Sequence, residues 1–389
     1  MVKSKNLQEL NICIVTFPLL SCSGSYYTII NNFLRILSPL VNEIFLITGN
    51  FSDNIGFDSK IKVLDIDISP QKEGNIFYKT INQIIIQIKI SLHLIRIRKR
   101  FDGPIFMLSG TLLLPTITAK FLRKTSILTA VASDSTNIRM IYKTAPFYKR
   151  YYYYLSDRIL ELLTFNAATY IGVESPHVAL FMDLPLTKVI GNGHLFFIGG
   201  NFRQIHNLAN RPYRIGYIGR LSREKGVFNF VTALPDITLR SPDLCVTITG
   251  DGLLYSEIKT FLEQNALDKL VDFLGWIPHD YLPNYLNQLR LLVLPSYTEG
   301  LPNIMLEAMS CGTPVLATPV GAIPDIIIDG KTGFIMENNS PECIAENVIR
   351  ALNFPDLEQI AENGRRFVEE NFSFEKTMEN WKGILQNIE

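Results

Sequence analysis

Short apolar, β-branched runs alternate with stretches of helical periodicity along the whole chain. In the first half the runs are residues 12–17, 44–48, 62–66, 105–108, 126–131 and 170–173. In the second half they are 213–218, 244–249, 271–274, 291–294 and 314–317. Strands spaced by helices in this way build parallel, doubly wound sheets with helices on both faces. Two consecutive sets predict an α/β chain of two Rossmann-like domains facing a cleft. The Gly- and Asn-rich stretch 199–211 is the expected joint, which gives an N-terminal domain over 1–205 and a C-terminal domain over 206–373. The last stretch carries Phe374, Met378 and Trp381 at helical spacing, and a final helix over 374–389 is expected to return to the first domain.

Length and composition agree with that picture. A chain of 389 residues is too long for one ordinary core. With 47% hydrophobic and 19% charged residues it is globular, not disordered. Five scattered cysteines without a C-x-x-C pair fit a reducing, cytoplasmic setting and supply no metal framework. Net charge is zero but unevenly placed. Residues 1–205 hold 22 Lys and Arg against 13 Asp and Glu, and the remainder holds 15 against 24. That asymmetry either points a basic half at an anionic partner or reflects two solvated surfaces. No transmembrane helix is expected, because the uncharged stretch 103–119 contains Pro104 and Pro115. Lys3, Lys5 and Leu19-Leu20-Ser21-Cys22 superficially resemble a lipoprotein signal. The apolar run between them is short and Glu9 precedes it, so a buried first strand over 11–17 is expected instead.

In open α/β sheets ligands bind beyond the carboxyl ends of the strands, and the second half places its Gly and polar residues there. Gly219-Arg220-Leu221-Ser222-Arg223-Glu224-Lys225-Gly226 follows the run 213–218. Arg220 as a planar fork and Lys225 as a point charge could neutralise a diphosphate; taken alone, the segment also reads as a strand-to-helix turn with solvated charges. Gly250-Asp251-Gly252 and Gly275-Trp276-Ile277-Pro278 close the next two runs. After 291–294 the chain reads P-S-Y-T-E-G-L-P-N-I-M-L-E-A-M-S-C-G-T-P-V. Glu299 falls in a loop. Glu307 falls one or two turns into a helix starting near Pro302–Asn303, whose N-terminus offers free N–H groups to an anion. Such a carboxylate pair could grip sugar hydroxyls or, alternatively, perform acid–base hydrolysis. The anion-facing helix end between the two favours a nucleotide sugar.

These motifs, in this order over residues 215–335, resemble the C-terminal domain of the retaining family-4 glycosyltransferases of GT-B fold: G-R-L-S-R-E-K-G, T-G-D-G, F-L-G-W-I-P, P-S-x-x-E-G-x-P-x-x-x-L-E-A-M-x-C-G-T-P-V and D-G-K-T-G-F. The resemblance implies transfer of a sugar from a nucleoside-diphosphate sugar to a glycan or lipid-linked acceptor, with no metal or other cofactor. It implies that Arg220 and Lys225 hold the diphosphate, that Gly250 forms a tight turn beside it, and that Trp276 and Ile277 border the base. Glu299 would contact the donor sugar, the backbone of Leu301, Pro302 and Asn303 the sugar and phosphate, and Glu307 the ribose.

The N-terminal half matches less well. Of the family's paired-glycine loop after the first strand only Gly24 remains. Where the family commonly has a histidine near the donor sugar, this chain has Ala132-Ser133-Asp134-Ser135. A polar neighbour, Ser133 or Asp134, is the candidate replacement, with Asp134 the residue chosen; the other readings are a different donor sugar or a catalytically silent, nucleotide-sugar-binding partner subunit. An epimerase or phosphorylase of related fold is a further reading. Residues 189–194 resemble the family's I-P-N-G turn, and His194 there is expected to be structural. Basic residues interleave with apolar and aromatic ones over 76–100 and 139–154, including Arg96, Arg98, Lys99 and Arg100. That mixture suits peripheral contact with an anionic membrane, at its inner face; nucleic acid finds no support in the fold.

Overall fold

The computed structural model describes residues 6–16, 24–49, 58–66, 76–107, 110–130 and 147–388. The chain forms two compact units, one of Met1–Phe196 with Glu375–Glu389 and one of Phe197–Phe374.

The first unit is built on β1 (Asn11–Thr16), β2 (Glu43–Thr48), β3 (Ile61–Asp65), β4 (Gly103–Met107), β5 (Ile127–Ala130), β6 (Tyr170–Val173) and β7 (Val189–Asn192). Their order is β3-β2-β1-β4-β5-β6-β7 and every pairing is parallel. From the second residue on, β1 and β2 are buried throughout, as strands covered on both faces must be. Helix α1 (Gly24–Leu37) carries the chain from β1 to β2. Helices α2 (Ile76–Ile97), α3 (Leu113–Phe121), α4 (Phe147–Ala167) and α5 (Pro176–Phe181) carry it in the opposite direction across the sheet. Right-handed crossovers therefore put these four on the other face from α1.

The second unit contains β8 (Arg214–Ile218), β9 (Cys245–Thr249), β10 (Val271–Gly275), β11 (Leu291–Leu294), β12 (Val315–Ala317) and β13 (Phe334–Ile335), ordered β10-β9-β8-β11-β12-β13 and all parallel. Its helices are α6 (Val227–Arg240), α7 (Tyr255–Gln264), α8 (Leu282–Leu286), α9 (Asn303–Ser310), α10 (Ile323–Ile326), α11 (Pro341–Leu352) and α12 (Leu357–Asn371). One core joins β8, β9 and β11 to α6 and α11, with Tyr217, Phe230, Val246, Leu291 and Ile344 fully buried. The strand order reverses between β8 and β11, so the crevice for a ligand opens where the loops leaving those two strands diverge.

Two edge strands differ from the sequence reading. Residues 189–192 form β7 where a turn was expected, and the two-residue β13 was not foreseen. β13 is too short for alternation to reveal, and β7 runs into Gly191-Asn192-Gly193, a turn signal that outweighs two apolar residues. The Gly- and Asn-rich stretch 199–211 lies within the second unit, because the buried guanidinium of Arg211 holds it there. Arg211 donates to the carbonyls of His206, Leu289 and Cys311 and to Thr313 Oγ1, at 2.6–3.0 Å. Burial drives its pKa down to about 10. The last helix, α13 (Phe374–Leu385), is grouped with the first unit from its second residue. Its Trp381 is fully buried, meets the Phe33 ring of α1 edge-on at 4.5 Å, and donates Nε1–H to the His194 carbonyl at 2.9 Å.

Candidate active site

Four loops leave the carboxyl ends of β8–β11, and their backbones are hydrogen-bonded to each other. Gly219 N–H donates to Thr249 O (3.1 Å), Leu221 N–H to Asp251 O (2.9 Å), Gly250 N–H to Gly275 O (2.8 Å) and Tyr297 N–H to Glu224 O (2.9 Å). This close approach is what the glycines are for. Gly250 has φ +141°, and a Cβ there would lie 1.8 Å from Gly219 O; Gly226 has φ +64°, and a Cβ would lie 1.9 Å from Pro295 O. Only residues without a side chain let these turns pack backbone on backbone.

That frame fixes the polar groups. Tyr217, buried in β8, donates its hydroxyl to Arg220 O at 2.7 Å, and burial raises its pKa well above normal. The Arg220 guanidinium is exposed and meets Glu224 at 3.4 Å, while Glu224 is held by Ser222 Oγ at 2.5 Å. Lys225 reaches across the switch point and donates to Glu299 Oε2 at 2.7 Å. Ser296 Oγ donates to Glu299 Oε1 at 2.7 Å. Glu299, in the loop after β11, is thus oriented from both sides and largely buried.

Helix α9 begins at Asn303 behind Pro302, which provides no side-chain cap. Its first N–H groups are left for water or a ligand. Leu301 and Pro302 are buried and Asn303 half-buried. Glu307 lies on α9, 3% exposed, and its Oε1 accepts from His279 Nε2 at 2.7 Å. This hydrogen bond raises the His279 pKa against the opposing effect of partial burial. In the loop after β10, Trp276 is 70% exposed and Ile277 half-buried.

Arg220, Lys225, Gly250, Trp276, Ile277, Glu299, Leu301, Pro302, Asn303 and Glu307 therefore all stand on the carboxyl side of the second sheet or on the helix entered from it. The sequence reading missed His279, which directly follows the G-W-I-P motif, and Ser296, inside the P-S-x-x-E motif. Each supports one of the two carboxylates. In the first unit, Gly24 opens α1, and Asp134 lies outside the described residues. His194 is buried, bonds through Nε2 to Thr377 Oγ1 at 3.1 Å, and has its pKa pushed down to about 4 by burial. It is a packing residue.

Residues 200–367 match the family model of glycosyl transferases group 1. Over 195 residues the chain is 32% identical to an uncharacterised glycosyltransferase of Methanocaldococcus jannaschii, the alignment covering 50% of this chain and 53% of that one. Over 173 residues it is 31% identical to the capsular polysaccharide biosynthesis glycosyltransferase CapM of Staphylococcus aureus, covering 43% and 44% respectively. The chain thus spans about half the length of the curated relatives it matches. Among solved structures, HepE of Anabaena in complex with UDP superposes with a TM-score of 0.70, covering 96% of this chain and 99% of that one at 16% identity. The fold is the paired Rossmann-like architecture of the GT-B glycosyltransferases.

Proposed function

We propose that this chain is a glycosyltransferase that takes a sugar from a nucleoside-diphosphate sugar bound on its second unit and passes it to a glycan or lipid-linked acceptor. The observation that carries this reading is the convergence at one switch point of Lys225, the oriented Glu299, the uncapped start of α9 and the buried Glu307. Lys225 and Arg220 take the diphosphate, with the α9 N–H groups as further donors, so that the charge developing on the leaving group meets preset positive potential. Among the described residues Glu299 receives two side-chain hydrogen bonds, which leaves acceptor capacity for sugar hydroxyls. Glu307 accepts from the ribose, beside His279. Trp276 and Ile277 border the base. Gly24 and Asp134 are the first unit's contribution, Asp134 standing in for the absent histidine.

Transfer on this reading keeps the anomeric configuration and draws on Lys, Arg and helix-end donors rather than a metal ion. The UDP bound by HepE supports the donor class, and the sugar-polymer role in CapM's name supports a glycan acceptor. Replacing Arg220 and Lys225 together with Ala tests the assignment. Nucleoside-diphosphate binding by calorimetry should disappear while the circular dichroism spectrum is kept. Unchanged affinity in the folded double variant overturns it.

A further inference from the structure

In the first unit, α3 packs between α2 and α4, and Leu114 N–H at its start donates to Gln87 Oε1 of α2 at 2.9 Å. Toward the sheet α2 buries Ile86, Ile90, Leu94 and Ile97. Away from it α2 turns out a second aliphatic stripe, Ile81, Ile84, Ile85, Ile88, Leu92 and Ile95, each 38–59% exposed. Helix α4 does the same with Leu155, Ile159, Leu162 and Leu163, and Phe121 at the end of α3 is 84% exposed. An amphipathic helix of a water-facing unit keeps its outer stripe polar. Here adjacent helices keep theirs apolar, and contiguous apolar surface of this kind marks an interaction face.

The charges carried by α2 and α3 and the turns that follow them have one sign. Residues 76–100 and 113–124 contain no Asp or Glu. Arg96, Arg98, Lys99, Arg100, Lys120 and Arg123 are all exposed, grouped just before β4 and β5, which are neighbours in the sheet. On α4 the carboxylates are the fully buried Glu161 and the half-buried Asp157, whose pKa is raised to about 6 by burial and by Glu161. An aliphatic floor with a cationic rim complements the acyl boundary and headgroups of an anionic bilayer. With α2 and α3, a second copy of the chain would bring the same cations and no carboxylate to meet them. No helix among the described residues is long and apolar enough to cross a membrane, so the contact runs along the surface.

We propose that this three-helix face docks the first unit on an anionic bilayer, the aliphatic side chains entering the interface and the Arg–Lys rim pairing with lipid phosphates. In making the acceptor a bilayer-held molecule the proposal rests on the glycosyltransferase reading; the docking itself does not.

The test is co-sedimentation of the full chain with vesicles of phosphatidylcholine, alone or mixed with phosphatidylglycerol, at low and high salt. The chain should bind the mixed vesicles at low salt. High salt should weaken binding without abolishing it, and neutral vesicles should retain the same salt-resistant remainder. Changing Arg96, Arg98, Lys99 and Arg100 to Gln should lower low-salt partitioning by about fivefold per residue, from roughly 1 kcal/mol for each basic group. Ile84→Ser, Ile88→Ser and Leu92→Ser together should remove the remainder. Both variants should bind nucleoside diphosphate like the parent, since neither touches the second unit. A folded parent chain that stays in the supernatant at low salt overturns the docking, as does a quadruple Gln variant that binds vesicles like the parent. A dimer that the Ile/Leu variant dissociates, without vesicle binding, assigns the face to self-association instead. Vesicle binding in a chain that takes no nucleotide would sink the donor reading and leave this one standing.

Discussion

Glu299 and Glu307 have different protein partners, and this separates their expected roles. Glu299 is fixed by Lys225 and Ser296, so Glu299→Gln loses an ion pair at the place where sugar is expected and should mainly lower the transfer rate. Among the described residues, the Glu307 carboxylate is held by His279. Glu307→Gln should weaken nucleoside-diphosphate binding by about 1.5–3 kcal/mol, the usual worth of a hydrogen bond to a charged group. It should also let the His279 pKa fall back toward the ordinary imidazole value, since the hydrogen bond to Glu307 is the main cause of its elevation. Isothermal titration and NMR titration of the His279 ring read the two effects. Normal nucleotide affinity in Glu307→Gln with lost affinity in Glu299→Gln would reverse the assignment. The carboxylates themselves were legible because their spacing sits inside an ordered set of motifs. Their supports were not, since His279 pairs with Glu307 only after β10 and α9 are brought together.

At the scale of elements, the loops after β8 and β9 act as one body because glycine backbones touch. Gly250→Ala puts a methyl group 1.8 Å from Gly219 O at φ +141°. Strain and overpacking together should cost at least about 2 kcal/mol and displace Arg220 and Asp251 as well. Gly200→Ala, where nothing lies within 4 Å, should change stability by less than about 0.5 kcal/mol. Equal stability of the two variants in denaturant melts would show that the backbone contact is not what holds the loops. The central strands were readable as continuous apolar runs: 170–173 and 291–294 coincide with β6 and β11. The edge strands β7 and β13 were not readable, because a short edge strand carries little burial signal. The outward isoleucines of α2 were legible as residues, but their exposure was not. A helix apolar all round reads as buried until its neighbours are known.

For the molecule as a whole, the two units carry separable chemistry, so ligand and acid should act on different halves. Nucleoside diphosphate at about 100 times its dissociation constant stabilises the folded state by about 2.7 kcal/mol. Calorimetry of the full chain should show that gain mainly in the transition of the second unit. Acid should act on the first unit through His194. Folding holds that ring neutral, with its pKa down to about 4 from an ordinary 6.5, whereas the unfolded chain takes up a proton below about pH 6.5. The stability due to the neutral ring is therefore complete above pH 6.5 and drains away as pH falls toward 4, a loss on the order of 3 kcal/mol. Other groups also titrate in that window, so the readout is a difference. His194→Gln keeps a hydrogen-bond partner for Thr377 and cannot gain the proton. Between pH 6.5 and 4 its first-unit transition should fall less than that of the parent, while the nucleotide-stabilised transition should follow the same course in both proteins. If the parent and His194→Gln lose first-unit stability in parallel, the buried histidine is not the acid-sensitive element; if nucleotide raises both transitions equally, the donor is not held mainly by the second unit.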